Sequence, residues 1–154
     1  MNKTLLIAST VAAFLFASCD NENTTNPEPL GTVTIKGAVV SNLDEDDDAG
    51  EPSLEKVPAG VSLYFIDDDT EATLGTTQTT ADGYTIDLQI GGPRTIRIVV
   101  GDFQTNINVY DFDEDDFVSK AAVYDDREQY YVNAVKGAVY IQNIEIGQPE
   151  AIDF

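Results

Sequence analysis

Four runs of acidic residues contain the side chains with the most evident capacity for chemistry. The runs are Asp44–Asp48, Asp67–Asp69 with Glu71, Asp111 with Asp113–Asp116, and Asp125–Asp126. Carboxylate oxygens suit calcium, which takes six to eight oxygen ligands at about 2.3 to 2.6 Å. No run has the spacing of an EF-hand loop with its central glycine and terminal glutamate. Any calcium site must therefore be assembled from separate loops.

The order of the loops indicates which acidic residues could meet. If consecutive strands run antiparallel, successive loops alternate between the two ends of a sheet, which places the loops at Asp67 and Asp111 at one end. One hypothesis is that Asp67, Asp69, Asp113 and Asp115 share a calcium ion. The alternative, which we prefer, is that these carboxylates keep the protein soluble and prevent strand ends from aggregating.

The composition excludes several classes of function. The 154 residues include 28 Asp and Glu against 8 Lys and Arg, a formal net charge of −20. Such a surface repels the phosphate backbone, so nucleic acid is not an expected partner. There is no histidine and only one cysteine, which excludes Cys/His zinc sites, Ser-His-Asp triads and cysteine proteases. No cofactor other than calcium is expected, and we predict a protein that is not an enzyme.

The lone cysteine, Cys19, closes a short apolar segment at the start of the chain. Lys3 precedes an apolar run from Leu5 to Phe16, the layout of a secretory signal. The run is shorter than the roughly 18 residues of a membrane-spanning helix. Ala17-Ser18-Cys19 resembles the lipobox of bacterial lipoproteins, which implies cleavage before Cys19 and its lipidation, although Phe16 stands where that motif usually has Leu. The alternative is an ordinary signal peptide that leaves a free thiol.

The sequence divides into three parts. Residues 1–18 are predicted to be a lipoprotein signal peptide, and 19–30 the lipidated cysteine with a flexible acidic spacer. The spacer is polar, contains two prolines and lacks apolar periodicity. Its acidic residues loosely resemble the export signal of Bacteroidetes-type surface lipoproteins, which implies an outer-membrane lipoprotein, surface-exposed in that family. Residues 31–154 are predicted to form a single β-sandwich domain.

A period of two in the apolar residues indicates β-strands throughout this domain. The predicted strands are residues 33–39, 61–66, 74–80, 84–90, 96–100 and 105–110, and a closing hairpin of 130–135 with 138–146. No long segment has a helical period. We expect an all-β fold, an antiparallel β-sandwich of about seven to eight strands.

Four ordered segments resemble carboxypeptidase-regulatory-like domains, whose fold is similar to transthyretin. The segments are Ile35–Val39, Val57–Leu63, Thr79–Ile86 and Gly92–Ile98. In the third, Asp82-Gly83 is predicted to make a tight turn between paired strands and Tyr84 to begin a buried face. The resemblance covers residues 33 to about 100. It implies a transthyretin-like sandwich that serves as a binding, spacing or accessory module, and it carries no catalytic residue across.

Exposed tyrosines are the candidate side chains for binding a sugar. Tyr64 alternates away from Leu63 and Phe65, and the adjacent Tyr130 and Tyr131 must point to opposite faces. Aromatic rings and nearby carboxylates can stack on a sugar and hydrogen-bond to it. The alternative, which we favour, is that these tyrosines reflect β-propensity and cross-strand packing.

Two classes of function remain. The first is a non-catalytic envelope lipoprotein, held to the membrane by its lipid, whose sandwich binds an unidentified envelope protein or glycan. A calcium-stabilised adhesion module is a variant of this class. The second, which we consider the weaker, is a small hydrolase that uses two carboxylates as its acid and base. Against it, nothing in the sequence indicates an apolar pocket that would raise the pKa of one acid.

Overall fold

The computed structural model describes residues 28–44, 53–125, 128–147 and 150–151. Within these ranges the regular secondary structure is entirely β. No helix in the described part of the chain is long and apolar enough to cross a membrane. The fold is a β-sandwich, which confirms the fold class that the alternating sequence predicts.

Thirteen strands lie in the described residues, more than the seven to eight predicted. Several are short, and three of them, β3, β12 and β13, contain only two residues each. In chain order they are β1 Gly31–Gly37, β2 Val39–Ser41, β3 Glu55–Lys56, β4 Ser62–Asp67, β5 Thr73–Gln78, β6 Tyr84–Ile90, β7 Arg94–Val100, β8 Phe103–Asp111, β9 Asp116–Tyr124, β10 Tyr130–Ala134, β11 Val139–Ile141, β12 Ile144–Glu145 and β13 Glu150–Ala151.

Two sheets form the main layers. One has three strands in the order β11-β1-β6, and the other has four strands in the order β10-β7-β4-β5. Apolar residues at alternate positions of both sheets share one buried cluster, which removes their surface from water and holds the layers together. Buried members of this core are Val33, Ile35, Leu63, Phe65, Leu88, Ile90, Ile96, Ile98, Val132 and Ala134.

The predicted closing hairpin of 130–135 with 138–146 is wrong. β10 pairs antiparallel with β7 in the four-stranded sheet, whereas β11 pairs parallel with β1 in the other sheet. β12 likewise runs parallel to β2, so the sandwich is not purely antiparallel. The chain crosses between layers at Lys136–Gly137, where Gly137 has a positive φ of 82°. The apolar alternation is the same for a hairpin and for a crossover, and so the sequence did not distinguish them.

The turn at Asp82-Gly83 is confirmed, but the prediction that it joins two paired strands is wrong, because β5 and β6 lie in different sheets. Thr80 and Gly83 exchange backbone hydrogen bonds of 2.7 and 3.0 Å, and this bridge joins β5 to the start of β6. Gly83 has a φ of 112°, and a Cβ there would overlap the carbonyl oxygen of Gly37. Glycine is therefore required at 83 both for its backbone conformation and for close packing.

The hairpin of β8 and β9 was only half predicted. β8 extends the predicted strand at 105–110, but its partner β9, Asp116–Tyr124, was not predicted. The hairpin joins the common core through Ile107, Ala122 and Tyr124. It also contacts the chain after β2, where the backbone N–H of Asn108 donates to the Leu43 carbonyl at 3.0 Å.

Candidate functional site: the outer face of the four-stranded sheet

The four-stranded sheet turns one face to the core and the other outward. Register pairs Tyr131 of β10 with Arg97 of β7, and Arg97 with Ile66 of β4. One row further along, Asn133 pairs with Thr95. Since alternate residues share a face, these side chains lie opposite the buried row and form what we call the outer face.

Two exposed tyrosines share this outer face. Tyr64 is 41% exposed and Tyr131 is 48% exposed. Tyr64 lies on β4 and Tyr131 on β10, on either side of β7. Their backbones are therefore two strand spacings apart across the sheet, roughly 10 Å, and two residues apart along it, about 7 Å. The sequence predicted that Tyr64 points outward and that Tyr130 and Tyr131 diverge. Both predictions are confirmed, because the hydroxyl of Tyr130 instead donates to the Glu145 carbonyl at 2.7 Å.

Polar groups lie one two-residue step along the strands from Tyr131, on the same face. The Thr95 hydroxyl donates to the Asn133 side-chain oxygen at 3.1 Å. An open cleft of about 310 Å³ lies beside this pair, and its polar lining includes Asp69 and Arg94 as well as Thr95 and Asn133. The cleft thus offers hydroxyl, amide, carboxylate and guanidinium groups, a combination suited to a polar ligand.

Arg94, which lines this cleft, forms an ion pair with a buried carboxylate at the end of the sheet. The side chain of Asp67, the last residue of β4, is 3% exposed, and its Oδ2 accepts from Nη1 of Arg94. Its Oδ1 accepts the backbone N–H groups of Asp69 and Thr70 at 3.1 and 3.2 Å. Asp67 therefore fixes the turn after β4 and connects it to the start of β7.

Opposing effects set the pKa of Asp67. Burial raises it, whereas the backbone N–H groups of Thr70 and Asp69 and the Arg94 guanidinium lower it. The net result is a pKa below the ordinary value of 3.8. The carboxylate is thus charged at neutral pH and is satisfied by three donors.

A second arginine ties the same turn to the outer face. The Nη2 of Arg97 donates to the carboxylate of Glu71, and its Nε lies 3.6 Å from Oδ1 of Asp68. Glu71 has a left-handed φ of 57°, a conformation that few residues other than glycine adopt. The arginine bonds therefore hold an acidic turn against the sheet.

The described structure does not assemble the hypothetical calcium site. Asp67 and Asp69 are neighbours in the β4–β5 turn, whereas Asp113 and Asp115 lie in the β8–β9 turn. There Asp113 donates its N–H to Asp111 at 2.9 Å, and the Tyr110 hydroxyl donates to Asp115. Among the described residues, no three acidic side chains form a group that could hold a metal ion. Calcium binding stays a prediction, and it requires a higher melting temperature in calcium than in chelator.

Sequence reasoning missed Arg94 and Arg97. A usable signal was present, because they are two of only 8 cationic residues and stand three apart in one predicted strand region of an acidic chain. Because the two arginines are three residues apart in β7, their side chains point to opposite faces of the sheet. Arg97 lies on the outer face, and Arg94 lies at the end of the sheet. The pairing of β4 with β7, which brings Asp67 opposite Ile96, was not predicted.

The predicted lipidation site, Cys19, lies outside the described residues, as does the signal peptide. Only the end of the predicted spacer is described. There Glu28 accepts a hydrogen bond from Nζ of Lys136 at 2.6 Å, which attaches the chain before β1 to the turn before β11.

Comparisons with known proteins do not assign a family. A scan against known protein families finds no match, and no curated protein matches the sequence significantly. Among solved structures, the chain is similar to a double mutant of the shaft pilin SpaA from Lactobacillus rhamnosus GG, with 11% sequence identity and a TM-score of 0.34. The similarity covers 80% of this chain and 49% of the pilin chain, so this chain spans about half its length. A likeness of this degree carries no inference about function.

Replacing Asp67 with Asn should destabilise the fold by about 2 to 4 kcal/mol, because the half-buried Arg94 loses the buried carboxylate that is its charge partner. Folding lowers the pKa of Asp67 below its ordinary value of 3.8. The charged Asp67 therefore stabilises the fold fully well above pH 3.8, and this stabilisation is lost as the pH falls through the pKa of Asp67 in the folded protein. Urea unfolding between pH 2 and 7 measures both effects. Asp68→Asn is the matched control, because Asp68 is 38% exposed and should change stability by less than about 1 kcal/mol. Equal losses in the two variants would contradict this role for Asp67.

Proposed function

We propose that this protein is a non-catalytic lipoprotein of the cell envelope whose β-sandwich binds a protein or glycan partner. In this proposal, lipid on Cys19 anchors the chain in the outer membrane and the acidic spacer separates it from the bilayer. The signal-like segment and the lipobox resemblance support the anchor. The outer face of the four-stranded sheet supports the binding role.

The observation that carries the binding role is the placement of Tyr64 and Tyr131 on one face of a rigid sheet. Exposed tyrosines present apolar ring area with a polar tip and lose little conformational entropy on binding. Strands β4, β7 and β10, which hold this face, have their opposite sides in the common core. The rings are therefore displayed on a surface that needs little rearrangement to bind a partner.

The polar groups beside Tyr131 favour a partner rich in hydroxyl or amide groups. Asn133 and Thr95 offer donors and acceptors, and Arg97, which is opposite Tyr131 in the register, forms a charged pair with Glu71. A sugar ring or a peptide backbone has the complementary groups. Both partner classes are consistent with this surface, and the experiment below includes each.

Tyr64→Ala and Tyr131→Ala should each weaken partner binding by tenfold or more, since each removes a ring from the outer face. Binding is measured on a glycan array and by pull-down from the native envelope. Phe112→Ala is the control, because Phe112 is 89% exposed in the β8–β9 turn and is not on this face. All three side chains are exposed, so melting temperatures should change little. Partner capture that is unchanged in both tyrosine variants, or reduced equally by Phe112→Ala, would contradict the proposed surface.

Cys19→Ala should release the protein from the membrane fraction, because the variant has no thiol to receive lipid. Fractionation of cells that express either form, with metabolic labelling by a fatty-acid analogue, measures this. Ser18→Ala is the matched control, because it keeps Cys19 and leaves a small residue before it. A Cys19→Ala protein that stays in the membrane fraction would contradict the anchor without affecting the binding proposal.

A further inference from the structure

Strand β11 is an edge of the three-stranded sheet. On one side it pairs with β1, where the N–H of Thr34 donates to the Ala138 carbonyl and the N–H of Gln142 donates to the Lys36 carbonyl. Hydrogen bonding alternates along a parallel strand, so Val139 and Ile141 turn their N–H and C=O groups away from β1. No other strand in the described residues pairs with this side of β11.

The side chains along this edge are apolar and exposed. Val139 is 61% exposed and Ile141 is 75% exposed. Natural sheets usually protect an edge with charged residues, proline or a bulge. The stretch from Gly137 to Ile144 contains no charged residue and no proline, although 23% of the chain is charged. Backbone groups that no described strand pairs with, beside exposed β-branched residues, form a template for another extended strand.

We propose that the occupant of this edge is β11 of a second copy of the chain, paired antiparallel about a two-fold axis at Tyr140. In this register, Val139 lies opposite Ile141 of the second copy, and Ile141 lies opposite its Val139. Each opposed pair exchanges two backbone hydrogen bonds, so the outward groups of both residues are satisfied. The two apolar side chains also meet as a cross-strand pair on the outer surface.

The self-complementary register is the argument for a second copy, because the same two residues supply both halves of each contact. The absence of charge from Gly137 to Ile144 supports it further. Each copy carries a formal charge of −20, so a self-contact requires a region where like charges do not face each other. The contact is short, so the dimer should be weak and should strengthen as salt screens the remaining repulsion.

Disulfide trapping tests the register. In the full chain with Cys19→Ser, Val139→Cys and Ile141→Cys are prepared as separate proteins. In the proposed register, the Cα atoms of Val139 and of Ile141 in the second copy are about 5.5 Å apart, within disulfide range. The same residue in the two copies lies on a diagonal, at about 7 to 8 Å. Under mild oxidation the mixture should form the mixed dimer at least tenfold faster than either protein alone. Leu54→Cys, at a residue that is 42% exposed, gives the rate of random collision.

Sedimentation equilibrium in detergent provides a second test with the same full chain. Val139→Lys should raise the dimer dissociation constant at least tenfold, while Phe112→Lys, with the same change in charge, should not. The proposal would be overturned if the mixture of the two cysteine variants cross-linked no faster than Leu54→Cys. It would also be overturned if the two lysine variants raised the dimer dissociation constant equally. A chain that is monomeric at millimolar concentration in high salt would overturn it too. The edge lies in the other sheet from Tyr64 and Tyr131, so these outcomes do not bear on the proposed binding surface.

Discussion

The buried contact between Asp67 and Arg94 is the constraint on which the candidate surface depends. β4 must end where its last carboxylate can reach a cation on β7, and the following backbone must turn so that two N–H groups meet the same carboxylate. A charge this deeply buried is costly unless every oxygen has a donor. The ion pair and the two backbone hydrogen bonds therefore fix the turn after β4. In this turn, Asp69 lines the same cleft as Asn133.

The two layers divide the roles of the molecule. Their inner faces share one apolar core, which stabilises the fold through burial. The outer face of the four-stranded sheet displays Tyr64 and Tyr131 with polar neighbours, and the three-stranded sheet ends at the apolar edge of β11. Many carboxylates elsewhere, such as Asp113 and Glu114 in the exposed β8–β9 turn, are consistent with a solubilising role. Binding and self-association are thereby proposed for separate parts of the surface.

Local alternation was sufficient to predict the strands and the direction of several side chains. It placed Tyr64 outward, Tyr84 inward and the turn at Gly83 correctly, because each depends on period two or on backbone conformation near one residue. It failed where pairing partners are distant in sequence. β11 could equally have formed a hairpin with β10, and only the assembled sandwich shows the crossover. The Asp67–Arg94 contact spans 27 residues, and for the same reason the alternation alone did not reveal it.

Photo-crosslinking in the native envelope tests whether the outer face of the four-stranded sheet contacts the partner. A benzophenone amino acid replaces Tyr131 in one variant and Phe112 in another, and both positions are exposed enough to accept it. We predict partner crosslinks from position 131 and only background from position 112. Crosslinks of equal yield from the two positions, or from position 112 alone, would contradict binding of the partner at the outer face.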